Sequence, residues 1–85
     1  MDKNLIANKV RAIVYRILLV DSKQVTDASS FVEDLGADLS DISVLIFELE
    51  MEFEIEISNK DAENILTNVG EAIAYIQHRF EQLES

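Results

Sequence analysis

Glu48-Leu49-Glu50-Met51-Glu52-Phe53-Glu54-Ile55-Glu56-Ile57 is the stretch whose reading decides the fold. Acidic and apolar residues alternate along it without a break. Taken alone, that is the pattern of a half-buried strand. No other segment makes a convincing strand, and a lone strand would leave a row of backbone amides and carbonyls without partners. The other reading is a helix that runs to about Phe53, followed by an extended turn through Ile57. On that reading the chain is all-α.

Working outward supports the second reading. Upstream, Leu45, Ile46, Leu49 and Phe53 recur at helical spacing, and the helix should begin between Asp38 and Asp41. Asp and Ser are both good N-caps, and acidic side chains favour the positive helix start. Further back, Ile6, Val10, Ile13, Val14, Ile17 and Leu18 form one apolar stripe on a helix over about residues 3–19. Asp21-Ser22-Lys23 ends that pattern and opens a loop to about Leu39, long for a small domain. Val25, Phe31, Val32 and Leu35 are expected to pin the loop to the core. Gly36 suits a turn or a close backbone approach. Downstream, Ser58 or Asn59 can cap a short helix holding Asp61, Ala62 and Ile65. Thr67 or Asn68 can cap a last helix whose stripe is Val69, Ala72, Ile73, Ile76, Phe80 and Leu83. The expected architecture is a single all-α domain over residues 1–85: a small bundle of three principal helices plus one short helix.

Composition agrees. Of 85 residues 48% are apolar, well above the level of a disordered chain, and proline is absent. No apolar run is long enough to span a membrane. The first residues do not resemble a secretory signal, and the lack of cysteine excludes disulfides and thiolate metal sites. A soluble cytoplasmic protein is the plain expectation. The formal net charge is −10, and no Lys or Arg occurs between Gln24 and Asn59. Such a negative surface repels nucleic acid and anionic lipid. It either attracts partners with a basic patch or serves only solubility.

One segment says more. Ser30-Phe31-Val32-Glu33-Asp34-Leu35-Gly36-Ala37-Asp38 closely resembles the stretch before the modified serine of acyl carrier proteins. The likeness resumes at Leu49-Glu50-Met51-Glu52-Phe53 and at Glu56-Ile57. It extends through Ala62-Glu63, Ile65, Val69 and Ala72-Ile73-Ala74-Tyr75-Ile76. There are departures. The family's Asp-Ser-Leu reads Asp38-Leu39-Ser40, so an ungapped match puts Leu39 at the serine position and Ser40 at the leucine. Val44 and Met51 stand where acids are common, Ser58 replaces a frequent proline, and one extra residue lies between Ile65 and Val69.

The resemblance implies a carrier, not an enzyme. A phosphopantetheinyl transferase would attach 4′-phosphopantetheine from coenzyme A to a serine, and the arm's thiol would hold an acyl group as a thioester. The attachment serine must be exposed at a helix start, where amides and the helix dipole favour phosphate. Ser40 meets this if the second helix starts one residue late; its plainer role is a helix cap. Ser43, one turn on, is the second candidate. The resemblance also makes Asp38, Asp41 and Glu50 docking residues for basic partner enzymes. Phe31, Leu49, Ile57, Ile65 and Ala72 become candidates for an acyl pocket, although each also suits ordinary core. The partners would be acyl-transferring and synthase enzymes of fatty acid or related lipid or secondary metabolism, met by a monomer.

Val44, Phe47 and Met51 share one side of the second helix, and Leu45, Ile46 and Leu49 share an adjacent side. A small bundle cannot bury both, so the first set is either core or a partner patch. His78, the only histidine, is expected to be solvated, and no catalytic triad or calcium-loop spacing supports it or the acids. Two alternatives to an acyl carrier remain open. One is an unmodified acidic helical interaction module that has lost the arm. The other is an aminoacyl or peptidyl carrier built on the same bundle.

Overall fold

The computed structural model describes residues 2–65 and 67–84, with side chains through residue 82. The chain forms four α-helices: α1 (Lys3–Leu18), α2 (Leu39–Phe53), α3 (Asn59–Ile65) and α4 (Val69–Glu84). α1 packs against both α2 and α4, and α3 packs against α4. Each helix start is capped by the residue its sequence supplies. Asp2 accepts the Asn4 amide, Ser58 Oγ accepts the Asp61 amide, and Asn68 Oδ1 accepts the Glu71 amide.

The alternating stretch divides as its helical reading requires. α2 continues to Phe53, and Glu54 takes a left-handed conformation (φ 53°) that ends it. Within a helix the alternation does not separate two faces. Leu49 and Phe53 are buried, whereas Met51 between them is exposed.

The core is one cluster. Ile6, Val10, Ile13 and Val14 come from α1, Leu45, Leu49 and Phe53 from α2, and Val69, Ala72, Ile73 and Ile76 from α4. Phe80 meets the Phe53 ring edge-on, with centroids 5.9 Å apart. Leu83, the last member of the expected α4 stripe, has a side chain outside the described set. The short α3 is tied down by polar contacts as well. Tyr75 Oη donates to Asp61 Oδ2 (2.7 Å), while Arg79 Nη1 donates to Tyr75 Oη (2.7 Å) and to the Glu56 carbonyl (2.8 Å). Burial, aided by the Asp61 bond, raises the Tyr75 phenol above its usual pKa.

The loop between α1 and α2 holds its place through backbone bonds. The Val69 amide donates to the Ser29 carbonyl (3.1 Å), and the Gly70 amide to the Asp27 carbonyl (2.8 Å). Arg11 of α1 reaches Asp27 at 3.0 Å. Phe31 is the loop's buried anchor, with Val25 and Leu35 partly buried beside the core. Val32 breaks the expectation, at 53% exposed. Phe31 and Val32 are consecutive in a tight turn, so only one can face inward, and the aromatic ring takes that position. Gly36 adopts φ +69°, and a side chain there would meet nothing within 4 Å. The glycine is required by its backbone conformation and not by crowding.

Candidate functional site

The site is built on the start of α2. Asp38 is the N-cap: its Oδ1 accepts the Asp41 amide at 2.8 Å, and Asp41 Oδ2 accepts the Asp38 amide at 3.1 Å. This reciprocal capping box fixes the register of the helix. Leu39 therefore takes the first helical position and Ser40 the second. The late start invoked to bring Ser40 to the first position does not occur. The cap stays on Asp38 because Asp41 lies three residues on, where its carboxylate can reach back. Leu39 is left 83% exposed.

Ser40 is exposed all the same. The first intrahelical bond runs from the Ile42 amide to the Asp38 carbonyl (3.0 Å). The Asp41 amide is held by the cap, so the Leu39 and Ser40 amides are the ones without an intrahelical partner. A phosphodiester on Ser40 would sit beside these donors at the positive end of the helix. The carboxylates of Asp38 and Asp41 flank it. Ser40 thus offers an exposed hydroxyl at the helix start, about 100° around the helix from Leu39. Ser43 is also exposed, one turn further in, where backbone amides are already bonded within the helix.

Behind the middle of α2 lies an apolar cavity of about 10 Å³, lined by Val10, Val14, Phe31, Leu45, Ile46, Leu49, Ile65 and Ala72. That is room for about one water molecule. Four of the residues expected in an acyl pocket line it: Phe31, Leu49, Ile65 and Ala72. Ile57 does not, although it is buried. The cavity lies against α2 between Leu45 and Leu49, and Ile57 follows the helix end at Phe53. Its amide donates to Glu50 Oε2 at 2.9 Å. The residues missed by sequence reading, Val10, Val14, Leu45 and Ile46, lie mid-stripe on α1 and α2. That signal marks them as core without saying which core residues border a space.

The expected docking residues divide in two. Val44, Phe47 and Met51 are 43%, 56% and 64% exposed. The acidic group is occupied within the chain: Asp38 and Asp41 in the capping box, Glu50 at the Ile57 amide. Among the described residues no group of three or more His, Asp or Glu side chains is placed to hold a metal ion, and His78 is exposed.

Two comparisons bear on this arrangement. The family model described as the phosphopantetheine attachment site matches residues 8–76. A solved structure of an acyl carrier protein from Enterococcus faecalis is similar over 89% of this chain and 95% of that one, with a TM-score of 0.74 and 39% sequence identity. The match runs from α1 to α4 and includes the capped start of α2. The chain belongs to the acyl carrier protein family, whose members are carriers and not enzymes and whose cofactor is covalently attached 4′-phosphopantetheine.

Proposed function

We propose that Ser40 carries the phosphopantetheine arm, and that the chain holds an acyl thioester on it. The thioester is delivered to enzymes of fatty acid or related lipid or secondary metabolism. The observation that carries this reading is an exposed serine hydroxyl in the first turn of α2, beside two helix-start amides that lack intrahelical partners. In the loading step, the Ser40 hydroxyl attacks the pyrophosphate of coenzyme A. The phosphoester forms on Ser40, the nucleotide portion leaves, and the hydroxyl proton passes to a base of the transferase.

The apolar cavity supports an acyl cargo. Leu45 lies five residues beyond Ser40, about 7.5 Å along the helix axis. Each methylene buried there would gain about 0.8 kcal/mol. At about 10 Å³ the cavity is too small for a chain, so the elements that line it must move apart to admit one. The protein acts as a cytoplasmic monomer in this reading.

The test is intact mass after incubation with a phosphopantetheinyl transferase, coenzyme A and Mg²⁺. The chain and Ser43→Ala should gain one phosphopantetheine, and Ser40→Ala should gain none. Gain in Ser40→Ala and loss in Ser43→Ala would move the arm to Ser43. One observation favours a second reading, the unmodified interaction module: Leu39, not a serine, holds the first position after the cap. No mass gain with any of several transferases would establish that reading.

A further inference from the structure

We propose that an uncharged acyl chain held on Ser40 has a second resting site besides the interior cavity: the outer stripe of α2 formed by Val44, Phe47 and Met51. This rests on Ser40 being the attachment site. Successive residues of a helix are turned by about 100°. Leu45, Leu49 and Phe53, the buried side of α2, centre on one direction, and Ser40 lies about 180° from it. Leu39, where the family's serine is matched, lies only about 80° from it. The exchange of serine and leucine therefore moves the attachment point from a flank of the helix to the side opposite the cavity.

That side is apolar. Val44, Phe47 and Met51 are 43%, 56% and 64% exposed. All three lie within about 40° of Ser40 around the helix, and Met51 is about 16.5 Å along the axis from it. The stripe thus begins at the hydroxyl and runs up the helix in line with it. A chain laid there needs no movement of the core, whereas the cavity of about 10 Å³ must widen first.

The borders of the stripe state the kind of chain it suits. Asp41, Glu48 and Glu52 lie on one side and Glu50 on the other, and α2 contains no Lys or Arg. A cargo with a carboxylate of its own is repelled by these edges, and a plain hydrocarbon chain is not. Three side chains on a convex helix would hold a free hydrocarbon only weakly. The tether changes this, because it keeps the chain beside the stripe at an effective concentration on the order of 1 mM. The thioether of Met51 adapts to a chain lying across it.

The test loads the protein from octanoyl-coenzyme A carrying a ¹³C-labelled octanoyl group, with a phosphopantetheinyl transferase and Mg²⁺. Nuclear Overhauser contacts should join the octanoyl methylenes to the Val44 and Met51 methyls and to the Phe47 ring. Phe47→Gln with Met51→Gln should lose the contact to Val44 as well, while its Tm stays within about 3 °C of the parent. Hydroxylamine should then cleave its thioester about twofold faster or more, as loss of a half-occupied shield allows. A chain of the same length ending in a carboxylate should show the contacts at less than about half the intensity. Contacts to Val14 and Ala72 in place of those to the stripe would overturn the proposal in favour of the cavity alone. Contacts to neither would overturn it by showing the chain free in solvent. Contacts found only between molecules would assign the stripe to a second copy, again against the proposal. Equal contacts from the carboxylate-ended chain would overturn the restriction to uncharged cargo. Early melting of the double variant would make Phe47 or Met51 core and count against the site. Failure of the Ser40 reading is recognised separately, by peptide mapping that finds no octanoyl-phosphopantetheine on Ser40, and the proposal falls with it.

Discussion

Leu45, Leu49 and Phe53 on one face of α2 are at most 4% exposed, whereas Val44, Phe47 and Met51 on the other are 43% to 64% exposed. The two sets are similar in size and hydrophobicity. Nothing in α2 itself marks one as core. The difference comes from what packs on the helix. α1 covers one side of it, Phe80 of α4 meets it at Phe53, and no described element covers the other side. Burial is thus a property of the neighbouring surface, and an apolar side chain states only a preference. Where a small domain leaves a second apolar face open next to a reactive position, that face is available to a partner.

Truncating one residue on each face should give the largest contrast. Leu49→Ala removes a side chain from the cavity wall and should cost about 2–5 kcal/mol of stability in urea unfolding. Phe47→Ala should cost no more than about 0.5 kcal/mol, as surface changes do. Equal losses would break the comparison and make Phe47 core. A smaller effect sharpens it from the acidic side. If the acids of α2 serve the fold, Glu50→Ala should cost about 1–3 kcal/mol, since the partly buried Ile57 amide loses its acceptor. An unchanged urea midpoint would free Glu50 for docking. The smallest effect belongs to the α1–α2 ion pairs. Glu48→Gln should cost about 0.2–1 kcal/mol, and less as salt is raised, because the pair is largely exposed. A larger, salt-insensitive loss would mean the pair positions α2 and does more than neutralise it.

Much of this was legible in the residues. The one-sided stripes of α1 and α4 decide their own burial, because each has a single apolar face. The caps Ser58 and Asn68 are local, and local chemistry can be read directly. The end of α2 at Phe53 was legible because a lone strand has nothing to pair with and because Leu49 to Phe53 resembles the family's helix. What could not be read depends on contacts distant in sequence. The choice between Phe31 and Val32 is made by the shape of a turn. The exclusion of Ile57 from the cavity is set by where the wall of α2 stops.

The start of α2 is the instructive case at the site. Asp38-Leu39-Ser40 suggested a delayed helix, yet the Asp38–Asp41 reciprocal cap holds the start in place. Asp41 was visible in the sequence three residues after Asp38, the spacing a capping box needs. The displaced serine therefore does not drag the helix with it. Ser40 is offered from the second helical position, with Leu39 standing exposed where the family's serine is matched.

The central claim is that Ser40, at that position, bears the arm. The most direct measurement is peptide mapping by tandem mass spectrometry of the protein purified from its own organism. The account predicts a phosphopantetheine-modified peptide whose fragment ions place the added mass on Ser40. A peptide covering Asp38 to Ser43 found only in unmodified form, or modified at Ser43, would contradict it.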